Sequence, residues 1–377
     1  MSIQVCLGSN TLSNPHNGGG GHVWVYLNWA LSLRALGCEL IWLEPIPRVM
    51  LLADLKERIE ALKTYLEPYG LSDSVALCWQ SESLHMATAM ECQTAEAASA
   101  ADVLINFSYD AIPHDVVARF RRSVFMDIDP GLTQVWVNQG NLKIAQHDFC
   151  FTIGETVGKP CGGLPDCGVR WHYVRPPLFI PEWPVTRAEA AAAFSSVTNW
   201  WDRYVEYRGE AFPNGKREGF LPFLDMPRRT RERLELAVGL ADDDAEERTN
   251  LVQHGWHLKN PREVARTPSD YRRYIQGSRG EFSCVKPSCV KLQNAWISDR
   301  TLCYLASGKP AVVQHTGNSE FLPDAEGLFR FRTAEEAVKS LETIAADYDH
   351  QCTLARQLAE EYFDGRRVLK PILEMAA

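Results

Sequence analysis

A chain of 377 residues, 45% hydrophobic and 23% charged, is long enough for two domains with full cores and has the composition of a globular protein. Its net charge of −9 argues against nucleic acid or an anionic membrane as partner, and no apolar run approaches the roughly 20 residues a bilayer span needs. Eleven scattered cysteines and a strand that begins close to Met1 predict reduced thiols, no secretory leader and a cytoplasmic location.

In chain order, "SIQVCLGS" reads as a buried strand, "GGGGHV" as a glycine-rich loop, Val23 to Leu36 as a helix stopped by Gly37, and "CELIWLE" as a second strand. Strand, glycine-rich loop, helix, strand is how doubly wound α/β domains begin. Gly20 and Gly21 let a ligand or another backbone come close, and His22 falls at the carboxyl end of the first strand. "LADLKERIEALKTYLEPYG" is helix-like. "ADVLINFS", "SVFMDID", "HDFCFTIGE" and "WHYVRPPL" are strand-like, so a mostly parallel sheet runs to about residue 175. Cys161 and Cys167 stand too far apart for a common zinc pair and read as incidental. "RPPLFIPEWP", with four prolines in ten residues, is the best linker, placing a domain boundary near Pro176 to Pro184.

The pattern then restarts. "AFSSVTNWW" is strand-like, "GFLPFLDMPRRTRERLELAVGL" holds a helix, and "TNLVQHGWHL" is a strand running into a Gly-Trp loop. The acidic run from Asp242 to Asp244, with Glu246 and Glu247, reads as a solvated loop. "TPSDYRRYIQGS" is a helix entered through Pro268, and "GEFSCVK" is a strand. "SDRTLCYLASGKPAVVQHTG" is the most informative segment. Ser298 is a good N-cap, Asp299 suits the first helical turn, and Gly308 stops the helix before the strand "AVVQ". Arg300 and Thr301 put a cation and a hydroxyl beside free backbone N–H groups, a combination suited to a diphosphate. Ser283, Lys286 and Lys291, after the preceding strand, add donors, and Gly215 and Lys216 in "PNGKREG" suggest part of a donor loop. The last segments, from Thr333 to Phe363, hold two long helices.

The run "SDRTLCYLASGKPAVVQHTGNSEFLPDAEGLFRFRTAEEAVKSL" resembles the C-terminal half of bacterial GT-B glycosyltransferases, in which a segment of the type "EA-A-GKPVV---GG--E" follows the sugar-nucleotide loop. It is nearer still to the glycosyltransferase-family-1-like tail of CgeB-type spore-coat proteins, where "SDR" opens the helix. The "GHV" loop also resembles GT-B acceptor domains. The resemblance implies an α/β GT-B fold: two Rossmann-like domains with parallel sheets facing an interdomain cleft. An acceptor domain would span 1–180 and a nucleotide-sugar domain 181–377, with the last helix, Arg366 to Met375, returning to the first domain.

The same resemblance implies a metal-independent transferase without a cofactor, moving a sugar from a nucleotide-diphosphate donor, a UDP-sugar above all, to a small molecule or glycan. His22 stands where inverting members place their base, with Asp129 (or Asp110 or Asp127) to orient it. Lys286, Ser298, Asp299, Arg300, Thr301, Thr316, Gly317 and Glu320 would hold the donor, and Trp256 in "HGWHL" would stack on its base. One departure matters. Retaining members carry paired glutamates eight positions apart, and the matching positions here, near Ala295 and Cys303, hold neither; Glu281 and Glu320 lack the spacing. Three rivals remain: a sugar-nucleotide epimerase; a catalytically inactive nucleotide-sugar binder or scaffold; and a dehydrogenase with Glu44 as its ribose acid, although Val23 replaces the third glycine of that fingerprint. An Asp-x-Asp metal site at Asp127 and Asp129 is discounted, because the nucleotide features lie in the other half.

Overall fold

Val5, Cys6 and Leu7 are wholly buried, as a strand covered on both faces by helices requires. They form β1 (Gln4–Gly8). Seven further strands join it: β2 (Glu39–Pro45), β3 (Val75–Cys78), β4 (Gln93–Thr94), β5 (Val103–Asn106), β6 (Ser123–Asp127), β7 (Phe149–Thr152) and β8 (Trp171–Tyr173). Their order is β4-β3-β2-β1-β5-β6-β7-β8, with every neighbouring pair parallel. The computed structural model describes residues 2–14, 18–47, 50–79, 84–159 and 163–376; Cys161 lies outside them. The chain divides into two compact units, Met1–Phe179 with Asp364–Ala377, and Ile180–Phe363.

In the first unit the strand order reverses between β1 and β5, so the loops after these two strands splay apart and leave a crevice at their carboxyl ends. The helix after β1 spans Gly19–Ala35 and starts at Gly19 rather than Val23. Gly18, at φ 73, makes the left-handed entry, and Gly20 and Gly21 are therefore helical first-turn residues, not loop. Val23, Trp24, Tyr26, Leu27 and Trp29 bury the inner face. The chain's last helices, Gly365–Val368 and Lys370–Ala376, belong to this unit. Gly365 donates its N–H to the Leu178 carbonyl at 2.8 Å. A β-carbon on Gly365 would stand 1.9 Å from Ser32 Oγ, so glycine permits the close approach.

The second unit holds β9 (Phe194–Asn199), the hairpin β10 (Tyr204–Tyr207) and β11 (Glu210–Pro213), then β12 (Leu234–Gly239), β13 (His257–Lys259), β14 (Gly280–Ser283), β15 (Ala311–Gln314), β16 (Ala325–Glu326) and β17 (Leu328–Phe331). Its main sheet runs β13-β12-β9-β14-β15-β17-β16, parallel except for the β16–β17 pair. Here the order reverses between β9 and β14.

"GFLPFLDMPRRTRERLELAVGL" does hold a helix, Met226–Arg229, and ends in strand β12. Two local expectations are corrected. "TNLVQHGWHL" is the end of helix Ala245–Gln253, a turn at Gly255 with φ 94, and the start of β13. Glu246 and Glu247 open that helix, as the macrodipole favours, rather than a loop. The chain divides within the proline-rich segment, between Phe179 and Ile180; Leu178 and Trp183 on either side are wholly buried, and each is tied into its own unit, Leu178 by Gly365 and Trp183 by Arg356 at 2.7 Å.

Candidate active site

The crevice of the first unit is organised by a carboxylate. Glu44, at the end of β2, is wholly buried and accepts from Ser9 Oγ at 2.6 Å, Trp42 Nε1 at 2.8 Å, Thr11 N at 3.0 Å and Leu12 N at 3.2 Å, as well as from the Thr11 hydroxyl. These donors come largely from the loop after β1, which Glu44 fixes. A carboxylate so saturated has no capacity left for a ribose, and the dehydrogenase reading fails on it. The same loop carries Asn10, whose carbonyl lies 3.2 Å from His22 Nε2; the Asn14 amide lies 3.3 Å from both. His22 stands in the first turn of its helix, half-buried, edge-on to Tyr26 at 5.3 Å. Burial lowers its proton affinity below that of a free imidazole; the bond to Asn10 and the charges of Glu44 and Asp129 oppose that without cancelling it. A neutral ring that donates from Nε2 keeps its lone pair on Nδ1.

Asp129 does not orient this ring. It accepts from Tyr109 OH at 2.8 Å, and Tyr109 holds a left-handed backbone, φ 56, in the loop after β5. Asp127 is a buried structural carboxylate. It accepts from Thr133 at 2.6 Å, Thr152 at 2.8 Å, Gln134 at 2.9 Å and the Asp129 N–H at 3.0 Å. Burial, outweighing those bonds, pushes its pKa up to about 6. It is not poised as a metal ligand, and Asp110 is an exposed turn residue. Among the described residues no group of three or more His, Cys, Asp or Glu is arranged to hold a metal ion. Cys167 donates its thiol to the Gln134 carbonyl at 3.2 Å.

In the second unit the loops after β9 and β14 flank the crevice, and cations gather there. Gly219 has no β-carbon to strike the Val285 carbonyl, which would lie 1.9 Å from it. The helix Lys216–Phe220 therefore packs against the loop after β14, and Lys216 Nζ donates to the Cys284 carbonyl at 2.8 Å. Burial, and then the charges of Arg300 and Lys286, lower the Lys216 pKa to about 7. Three cations thus share one region, and two of them have carboxylate partners. Arg300, in the first turn of helix Asp299–Ala306, points into the sheet: Nε donates to Glu281 at 2.8 Å and Nη1 to the Val197 carbonyl at 2.9 Å. Glu281 is wholly buried and Arg300 nearly so. Arg300 is therefore first a buried ion-pair partner, linking β9 to β14, and its charge reaches the crevice already partly balanced. Lys286 pairs with Asp202 of the loop after β9.

The other predicted residues divide. Ser298 caps its helix, accepting from the Arg300 N–H at 3.3 Å, and Asp299 is partly buried in the first turn. Thr301 is buried. Thr316 donates to the Trp296 carbonyl at 2.6 Å. Gly317, at φ 135, lies where a β-carbon would meet the Gln293 carbonyl at 2.7 Å; both residues knit loops together. Glu320 is exposed. Lys291 is held by Glu210 at 2.7 Å. Trp256 is a correction: it is 3% exposed, donates its indole N–H to Leu224 at 2.8 Å and packs against Phe220 and Phe282. It is a core side chain with no face open to a base. Lys216 had the weakest signal in sequence, a lone Gly-Lys, and is the most perturbed cation of the group; Asp202 gave no signal.

No protein-family model matches the chain, and no curated protein matches it in sequence. Solved structures match it along its length. HepE of Anabaena, in complex with UDP and glucose, aligns with a TM-score of 0.61 at 12% identity, covering 99% of each chain. An alpha-glucosyltransferase in complex with UDP and a DNA containing an HMU base aligns with a TM-score of 0.61 at 12% identity, covering 100% of this chain and 99% of the other. AviGT4, a glycosyltransferase involved in avilamycin A biosynthesis, gives 0.54 at 13%, covering 99% of this chain and 96% of that one. The fold is the α/β GT-B fold of these glycosyltransferases.

Proposed function

We propose that the protein transfers a sugar from a nucleoside-diphosphate donor, a UDP-sugar first among them, to a hydroxyl of a small molecule or glycan. The observation that carries this reading is the gathering of Lys216, Lys286 and Arg300 at the point where the second sheet reverses its strand order. In open α/β sheets that point is where ligands bind; Lys216, bonded to a carbonyl, and Lys286, in a part-exposed ion pair, are the cations there that a diphosphate can engage, with Arg300 behind them. The lysines meet the charge of the leaving diphosphate, the work a metal does elsewhere, so activity persists in a chelator. His22, neutral and held by Asn10, takes the proton of the acceptor hydroxyl. HepE and the alpha-glucosyltransferase were solved with UDP, which supports uracil as the base. The net charge of −9 favours a glycan or small-molecule acceptor over nucleic acid and, with the reduced cysteines, fits a cytoplasmic enzyme. The "SDR" helix supports a place near the CgeB-type proteins.

The test is a thermal-shift panel of nucleotide sugars followed by assay of nucleotide release. A UDP-sugar should raise the melting temperature and release UDP, and Lys216→Met should suppress both. Conversion of the sugar without release points to an epimerase, and binding without turnover to an inactive binder. The absence of any shift with nucleoside diphosphates sinks the reading.

A further inference from the structure

The Asp202–Lys286 ion pair spans the crevice itself. Asp202 follows β9 and Lys286 follows β14, and these are the adjacent strands between which the order reverses. The two loops that should part around a ligand are here joined across it. Asp202 has one oxygen on Lys286, while the other accepts the Arg203 N–H at 2.8 Å. Both side chains are one-third exposed, so water reaches the pair and it can exchange. The neighbouring Arg300–Glu281 pair is sealed, with Glu281 at 0% exposure. The cations at the crevice therefore differ in how they are balanced. Lys216 bonds to a carbonyl, Arg300 is held by a permanent carboxylate partner, and Lys286 by a replaceable one.

Resting on the donor reading of Lys216 and Lys286, we propose that the Asp202 carboxylate is an internal stand-in for a donor phosphate oxygen on Lys286, and that the incoming diphosphate displaces it. Charge requires the displacement. A diphosphate held by Lys216 and Lys286 would meet the Asp202 carboxylate at close range, and like charges in a part-buried crevice repel. Asp202 leaves Lys286 and turns to solvent, carrying with it the 200–203 loop that leads into the β10–β11 hairpin. Donor binding therefore opens one ion pair as it forms another, and empty protein keeps its crevice closed against weaker anions.

The test measures the affinity of UDP and of uridine by calorimetry at low salt. Asp202→Asn keeps the shape and removes the charge. It should tighten UDP by about 2- to 5-fold, the worth of a part-exposed ion pair, and leave uridine, which has no phosphate, unchanged. Glu206→Gln, an equal change of charge on the hairpin, should leave both unchanged. Lys286→Met and Lys216→Met should each weaken UDP. If they do so while Asp202→Asn leaves UDP binding unchanged or weaker, the displacement is refuted and the donor site stands. If neither lysine variant alters UDP affinity, the donor site is elsewhere and the proposal falls with it. If Glu206→Gln tightens UDP as much as Asp202→Asn, the effect is general charge and the stand-in is refuted.

Discussion

The His22 ring lies against the α-carbon of Gly18: a β-carbon there would be 2.5 Å from His22 Cδ2 and 2.6 Å from Cγ. The glycine also holds φ at 73, which side chains disfavour. The two residues are one unit, the glycine making the place that the imidazole fills. Gly18→Ala should therefore act on the ring. It should cut the transfer rate toward that of His22→Ala, about 10²–10⁴-fold below wild type, the range for losing a general base. UDP affinity, which the proposed donor site places in the other unit, should not move. Steady-state kinetics beside calorimetry checks this, and a wild-type rate in Gly18→Ala overturns it.

The half-buried ring sets a pH limit. Because burial holds the His22 pKa below the ordinary imidazole value, the free base persists as pH falls through 6.5. The rate should hold there and drop only at lower pH, where the ring takes up its proton. On the alkaline side His22 imposes no limit. A pH–rate profile with saturating donor reads this directly; an acid limb centred above 6.5 contradicts the assignment.

The sequence showed the strands that are apolar from end to end, the helix cap at Ser298 and the stop at Gly308, because these are local decisions of side chain and backbone. It also placed His22 beside the glycine-rich entry to the first helix and Arg300 beside the Ser298 cap. It did not show which cation meets which anion. Arg300 reads as a free phosphate ligand until β14 brings Glu281 beneath it. Lys216 and Lys286 are 70 residues apart in number, and only the pairing of β9 with β14 joins their fields. Trp256 after a glycine reads equally as platform or core; the packing of Phe220 and Phe282 decides it. Glu44 sat at the ribose position of a dehydrogenase, and only its hydrogen bonds reveal a different task.

Glu44 is accordingly the stability test of the first unit. Glu44→Gln keeps the size but turns an N–H₂ toward groups that can only donate, among them Thr11 N, Leu12 N and Trp42 Nε1. Each donor left unpaired costs about 1–3 kcal/mol. The variant should unfold at clearly lower urea and, while folded, lose transfer rate, because the loop it releases carries the Asn10 carbonyl that holds His22. An unchanged urea midpoint would mean the loop is fixed by other contacts.

Lys216 gives the sharpest pH signature. Its pKa near 7 in the free protein comes from burial and from the neighbouring charges of Arg300 and Lys286, so at pH 8 most of the amine is neutral. A diphosphate needs the ammonium, and binding must first restore the proton. Affinity for UDP-glucose, whose diphosphate charge is constant over this range, should be flat below pH 7. Above pH 7 it should weaken by about tenfold per unit, until the pKa of the bound state is reached. Proton uptake should appear as a calorimetric heat that varies with the ionisation enthalpy of the buffer. Lys216→Arg keeps its charge throughout; it should lose the slope and the buffer dependence together, whatever its affinity at pH 7. A wild-type slope retained in Lys216→Arg would assign the titration to another group.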